Sequence, residues 1–119
     1  MGITRLRFTV SHPTDLDRSA QVELLVDTGA VNSFVPRPIL ERLGIPVQFR
    51  RAFRLANGQM IERDVGTAFF RWNGHMSGAS VVFAEPEDEP LFGVTALEGM
   101  GLEVDPTTRT LKPTDSLLV

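Results

Sequence analysis

The chain has no cysteine. That absence excludes disulfides, thiol catalysis and thiolate zinc sites, and it removes any clue to redox compartment. It has no excess of basic residues either: 12 Lys and Arg stand against 15 Asp and Glu, a formal net charge of −3. Nucleic-acid-binding domains usually carry a basic surplus, so nucleic acid is not expected as a partner. No run approaches the roughly 20 apolar residues a membrane helix requires, so no membrane partner is expected. The opening MGITRLRFTV alternates polar and apolar residues, unlike a signal peptide. Both points favour a cytoplasmic location. Lysine is reduced to Lys112, the other basic residues being arginine, which carries no mechanistic meaning.

What remains is a chain of 119 residues with 42% hydrophobic and 23% charged residues. That is the size and balance of one globular domain, and residues 1–119 are expected to form it. Period-two alternation marks strands at Leu6–Val10 and Val22–Val26. The stretch His12–Ser19, with Pro13, Asp15 and Asp17, predicts a loop between them. Val31–Val35 predicts a further short strand. Pro38 suits a first helical position, Ile39, Leu40 and Leu43 share a face, and Gly44 with Pro46 ends the helix. Val47–Leu55 is strand-like and carries Arg50, Arg51 and Arg54. Asn57-Gly58 between apolar runs predicts a hairpin, because both residue types tolerate positive φ. Thr67–Trp72 and Ser80–Ala84 predict two more strands joined through Asn73-Gly74.

The acidic run Glu85–Glu89 with its prolines predicts a solvated loop. Leu91-Phe92-Gly93 follows. Thr95 and Glu98 have capping-box spacing for a second helix that Gly101 could end, with Gly99 an unfavourable helical residue inside it. Asp105-Pro106-Thr107-Thr108 fits a type I turn. Arg109–Lys112 and Leu117–Val119 complete the set of expected strands. The fold class is therefore mainly β, with one or two short helices.

The chemistry concentrates in Leu25-Val26-Asp27-Thr28-Gly29-Ala30. A strand that runs into Asp-Thr-Gly presents a carboxylate at a tight turn, where glycine permits close backbone approach and its N–H can reach the carboxylate. The tripeptide alone is more often an ordinary turn than a catalytic site, since Asp and Gly are turn formers. Metal-free peptide hydrolysis needs a general base for water and a general acid for the leaving nitrogen. Two adjacent carboxylates supply both by sharing one proton. With a single Asp-Thr-Gly, the second carboxylate must come from elsewhere, and an isologous two-fold dimer places a residue near the axis against its own copy.

Four segments, in order, resemble the retropepsin-like aspartic proteases, including small bacterial members: LLVDTGAVNSFVP, PILERLGIP, LANGQMIERDVG and LFGVTALEGMGLEVDPTTRTLKP. The resemblance implies a small acid-protease β-barrel, one subunit of a two-fold homodimer, that cleaves peptide or protein substrates without a metal or other cofactor. It makes Asp27 the catalytic carboxylate. Thr28 would hydrogen-bond across the dimer axis, and Gly29 would contact carboxylate and substrate. Ala30, Asn57 and Gly58 would lie against substrate, the last two near the tip of a covering flap. Leu91-Phe92-Gly93 would pack behind the catalytic loop. The flap is poorer in glycine than in the retroviral enzymes, and Phe92 replaces a smaller aliphatic residue, a change expected to matter little.

Other residues have plainer readings. His12 and His75 are too isolated for a zinc site. The arginines of 47–55 could meet an acidic substrate, but read first as a solvated strand face. Trp72 reads as core or sheet packing, Asp105 as a turn residue and Asp64 as an exposed position on the hairpin arm. A catalytically silent dimeric module that binds peptides or serves assembly is the alternative function. A phosphate-handling enzyme would want a glycine-rich cradle or an acidic metal cluster, and neither is present in the sequence.

Overall fold

The computed structural model describes residues 2–114, with side chains from residue 4 onward. The strands are β1 (Gly2–His12), β2 (Asp15–Asp27), β3 (Ser33–Pro36), β4 (Phe49–Arg54), β5 (Met60–Trp72), β6 (His75–Ala84), β7 (Leu91–Phe92), β8 (Leu102–Asp105) and β9 (Thr110–Pro113). Two short helices interrupt them, α1 (Arg37–Arg42) and α2 (Val94–Gly99). The expected strand at Leu117–Val119 lies outside the described residues.

The alternation seen in the sequence works as a barrel wall. Phe8 and Val10 of β1, and Val22, Leu24 and Val26 of β2, all point inward and are buried, while their neighbours face out, as the two-residue period of a strand requires. The sheet runs β1-β2-β7-β3-β6-β5-β4. It closes on itself because β1 also pairs with β5 through Thr9↔Arg71, Val10↔Phe70 and Ser11↔Phe69. β4 hangs outside this closure as an edge strand on β5. Most strand pairs are antiparallel; the parallel ones are β2 with β7 and β3 with β6.

At the centre of the core sits Phe92. Its ring stacks on Phe8 with centroids 4.1 Å apart and meets Phe70 edge-on at 5.5 Å. Strands from both sides of the barrel seam are thereby joined by aromatic contacts in the preferred geometries. The substitution that looked inconsequential in the sequence is the packing centre. A smaller cluster lies apart, between the β4–β5 hairpin and the strands beneath it: Phe34, Val65, Val82 and Ala84 are buried, with Phe53, Ile61 and Leu91 packed against them.

Several expectations need correction. Asp15–Ser19 is strand, not loop. The turn is confined to Pro13-Thr14, because a break in register between Ser11↔Ser19 and His12↔Asp15 accommodates the extra residues of β2 as a bulge. The strand expected over Val31–Val35 begins only at Ser33, leaving Val31 exposed. β5 and β6 start earlier than expected, at Met60 and His75. The α2 N-cap is Gly93, with no side-chain cap, so the Thr95/Glu98 box is not used. Gly99 stands inside that helix for a steric reason, since a β-carbon there would collide with Ser77 Oγ, and Gly101, with φ 71°, follows its end as expected. Asn73 and Gly74 both take positive φ, 52° and 87°, as a type I′ hairpin requires, whereas at the β4–β5 tip Gly58 does so without Asn57. Arg109, expected in a strand, has φ 57° and belongs to the turn that Asp105 caps through the Thr107 N–H at 2.9 Å.

Replacing Phe92 with alanine should lower unfolding free energy by about 3–5 kcal/mol, the usual cost of a buried Phe truncation. Urea denaturation measures this, and a loss below about 1 kcal/mol would contradict its central placement.

Candidate active site

Asp27 is the last residue of β2, immediately beyond the buried Val26. β7 supports this strand end in parallel register, Leu25↔Leu91 and Val26↔Phe92, and the Leu25 N–H donates to Pro90 O at 3.2 Å. The loop then turns sharply. The Ala30 N–H donates to Asp27 O at 3.1 Å, and the Gly29 N–H donates to Asp27 Oδ1 at 2.9 Å. Farther along, the Val94 and Thr95 N–H groups at the start of α2 donate to Ala30 O and Val31 O at 2.8 and 3.2 Å. The Gly93 N–H donates to the buried Ser33 hydroxyl at 3.0 Å. Gly93 must be glycine, because a β-carbon there would lie 2.5 Å from Asn32 O and 2.9 Å from Val31 O. The Asp27 loop is thus stitched to the segment behind it almost residue by residue.

The Asp27 side chain is half-buried. Burial acts to raise its pKa, donors including the Gly29 N–H act to lower it, and the net shift is downward. A carboxyl in that condition is ionised at neutral pH and suited to act as a base.

Asp27, Gly29 and Ala30 line a cleft of about 700 Å³. One wall is the β4–β5 hairpin from Arg51 to Ala56; another is the Glu87–Glu89 segment; Phe34 and Leu91 contribute to the floor. Thr28 is exposed on the loop beside the cleft. Asn57 and Gly58 stand at the hairpin tip, beyond the stretch that lines the cleft of a single protomer.

The acidic segment is a loop with Glu87 and Glu89 exposed, as its composition predicts, but Glu85 and Asp88 within it are tied down. Arg63 on β5 grips Asp88 bidentately, at 2.7 and 2.8 Å, and their side chains are only 11% and 9% exposed. Asp88 also accepts the Glu85 N–H at 2.8 Å. Arg37 bridges Glu85 at 2.9 Å and Asp64 at 2.7 Å, with its guanidinium 5.0 Å from the Phe83 ring centroid. Asp64, expected to be exposed, is half-buried between Arg37 and Arg50. These pairings lay hidden in the sequence because composition shows both charge signs without showing which residues meet. Trp72 packs partly buried against the main core. His12 accepts the Thr14 N–H at 3.1 Å through Nδ1. Among the described residues no group of three or more His, Asp or Glu is placed to hold a metal ion, and no helix is long and apolar enough to cross a membrane.

A family model described as aspartyl protease matches residues 13–96, from the first hairpin turn into α2. The chain belongs to the aspartyl protease family. Its fold is retropepsin-like: the solution structure of the simian foamy virus (mac) protease superposes with a TM-score of 0.55 at 19% identity, covering 80% of this chain and 92% of that one. No curated protein matches it. In this aspartyl protease the matched stretch contains the Asp27 loop, the β4–β5 hairpin and Leu91-Phe92-Gly93, the parts that surround the cleft.

The Arg63 guanidinium, hydrogen-bonded to Asp88, holds that carboxyl below its ordinary value of 3.8 despite opposing burial. A depressed folded-state pKa contributes stability that is present above about pH 4 and is lost as pH falls through the folded value. The urea midpoint should therefore fall as pH drops from about 5 to about 2, and Asp88→Asn should remove part of that dependence. An unchanged slope in the variant would show that this pair does not carry the acid sensitivity.

Proposed function

We propose that two copies of this chain associate about a two-fold axis that brings their Asp27 carboxylates together, and that the pair hydrolyses peptide bonds by activating water. Residues 1–119 act as one domain in this reading. The observation that carries it is the condition of the carboxylates around the cleft. Asp88 is saturated by Arg63 and the Glu85 N–H. Glu89 is paired with Arg5 at 3.3 Å, and Glu87 lies 3.8 Å from Arg63. Asp88, held by arginine, favours its ionised form and is a poor partner for sharing a proton. The partner Asp27 requires is then its own copy, which an isologous interface supplies.

The chemistry follows from two like charges at hydrogen-bonding distance. Both cannot ionise easily, so one proton is shared and one pKa of the pair rises well above the single-protomer condition. The ionised carboxylate takes a proton from the bound water as its oxygen adds to the carbonyl carbon. The protonated one supplies the proton that the leaving nitrogen needs as the C–N bond breaks. No covalent enzyme intermediate and no cofactor enters the scheme. Gly29 holds Asp27 through its N–H, and Thr28, exposed on the loop, hydrogen-bonds across the axis. Ala30 contacts the peptide, which lies extended across the cleft with alternate side chains entering pockets. Asn57 and Gly58 close over it from the hairpin tip.

A diverse peptide library, incubated from acid to neutral pH with sedimentation in the same buffers, tests the assignment. Wild type should cleave as a dimer, and Asp27→Asn should lose cleavage by at least about 10³-fold, on the scale of losing an essential acid–base group, while still dimerising. Activity should also fall more steeply than linearly on dilution, as dissociation removes half of each site. A dimer that binds peptides at every pH without cutting them would convert the reading to a silent peptide-binding module.

A further inference from the structure

The charges around the cleft are unequal in a way that points to a substrate class. On the acidic wall the carboxylates already have arginines: Glu85 with Arg37, Asp88 with Arg63, and Glu89 with Arg5. Glu87, at 3.8 Å from Arg63, is the least compensated. The opposite wall differs. Arg50 turns to Asp64 and Glu62, at 3.1 and 3.6 Å. Arg51, one residue on, points to the other face of β4. That face is the one Phe53 uses to reach the floor, with Phe53 edge-on to Phe34 at 5.7 Å, and both phenylalanines line the cleft. The Arg51 guanidinium lies 4.8 Å from the Phe53 ring centroid. No carboxylate is paired with Arg51 among the described residues.

We propose that Arg51 is a specificity residue that selects peptides carrying an aspartate or glutamate close to the scissile bond. The inference rests on the reading that the Asp27 cleft receives a peptide. An arginine stacked on an aromatic face has lost part of its rotameric freedom, so it can offer its planar fork to a carboxylate at little further entropic cost. Arginine on an edge strand also discourages sheet-to-sheet association, but that role is already met by Arg50 and does not require a side chain over Phe53; Arg54 also lines the cleft, but Arg51 is the one stacked on an aromatic ring there. A peptide binding as an extended strand places alternate side chains toward the hairpin, which gives an acidic residue access to Arg51 without displacing the backbone from Asp27.

The test uses peptide sets identical except for Glu, Gln or Lys at each position within four residues of the cleaved bond, or of its reduced-amide isostere. kcat/KM is read on the cleavable set and Kd on the isosteres, for wild type, Arg51→Gln and Arg51→Glu. Wild type should prefer Glu over Gln by about 5-fold at one position, the scale of a partly exposed ion pair. The preference should shrink as salt rises. Arg51→Gln should bring the ratio to about 1, and Arg51→Glu should favour Lys at the same position. A merely structural loss would lower all peptides together and leave the ratio intact. If wild type treats Glu and Gln alike, or selects Lys through Glu87, the inference is overturned. If it discriminates in binding without cleaving, Arg51 keeps its role and the hydrolytic reading fails instead.

Discussion

Leu91 and Phe92 form a strand only two residues long, and most of the molecule is organised around it. Their backbone pairs in parallel with the last turn-ward residues of β2 and antiparallel with β3, so the strand is the bridge between the Asp27 loop and the wall that follows. The Phe92 ring, held between Phe8 and Phe70, anchors the same two residues in the core. Backbone and side chain therefore answer to different neighbours, and moving either disturbs both. Because interiors pack at crystal-like density, a shift in the Phe92 ring reaches Asp27 through one register of hydrogen bonds.

A second organisation is electrostatic and sits on the opposite side of the cleft. The acidic segment between β6 and β7 would repel itself if left alone. Arg37 and Arg63, from α1 and β5, convert it into a wall by near-saturating its inner carboxylates. Exposed ion pairs contribute little, but a bidentate pair at about one-tenth exposure is a different case: removing either partner strands a desolvated charge. Through Arg63 the wall is also tied to the arm of the hairpin that faces it, so the width of the cleft is held from both sides.

The parts of this arrangement legible in the sequence are those governed by local rules. Period-two runs located the barrel strands, Asn-Gly located the hairpins, Gly44 ended α1, and Asp-Thr-Gly at a strand end marked the candidate carboxylate. The parts that were not legible depend on contacts between distant residues. Nothing local announces that Thr9–Ser11 will meet Phe69–Arg71 and close the barrel. The capping-box reading of Thr95 failed because the chain enters α2 through Gly93, pressed against the backbone of Asn32. The loop reading of Asp15–Ser19 failed because a bulge let turn-forming residues stay in a strand. Asp88 was read with its acidic run as solvated because charge pattern carries no information about partners. Of the three β4 arginines, the period-two rule separates Arg51 from its neighbours, but only the Phe53–Phe34 contact says which face looks into the cleft.

Under the proposed dimer, in which the site is completed by doubling, rigidity of each half-site matters more. Any error in the placement of one carboxylate appears twice across a two-fold axis, and catalytic groups tolerate displacements well under an ångström. A loop that became ordered only on association would charge its lost entropy against dimer affinity. Here the Asp27 loop is already fixed within one protomer, by the Gly29 N–H at the carboxylate, by the α2 N–H groups at Ala30 and Val31, and by Ser33 beneath Gly93. In the proposed dimer, association has to align two finished halves and does not have to fold either one. The downward shift of the Asp27 pKa belongs to the same logic: it keeps the carboxylate ionised, and under the proposed dimer the sharing of a proton would come with the second copy.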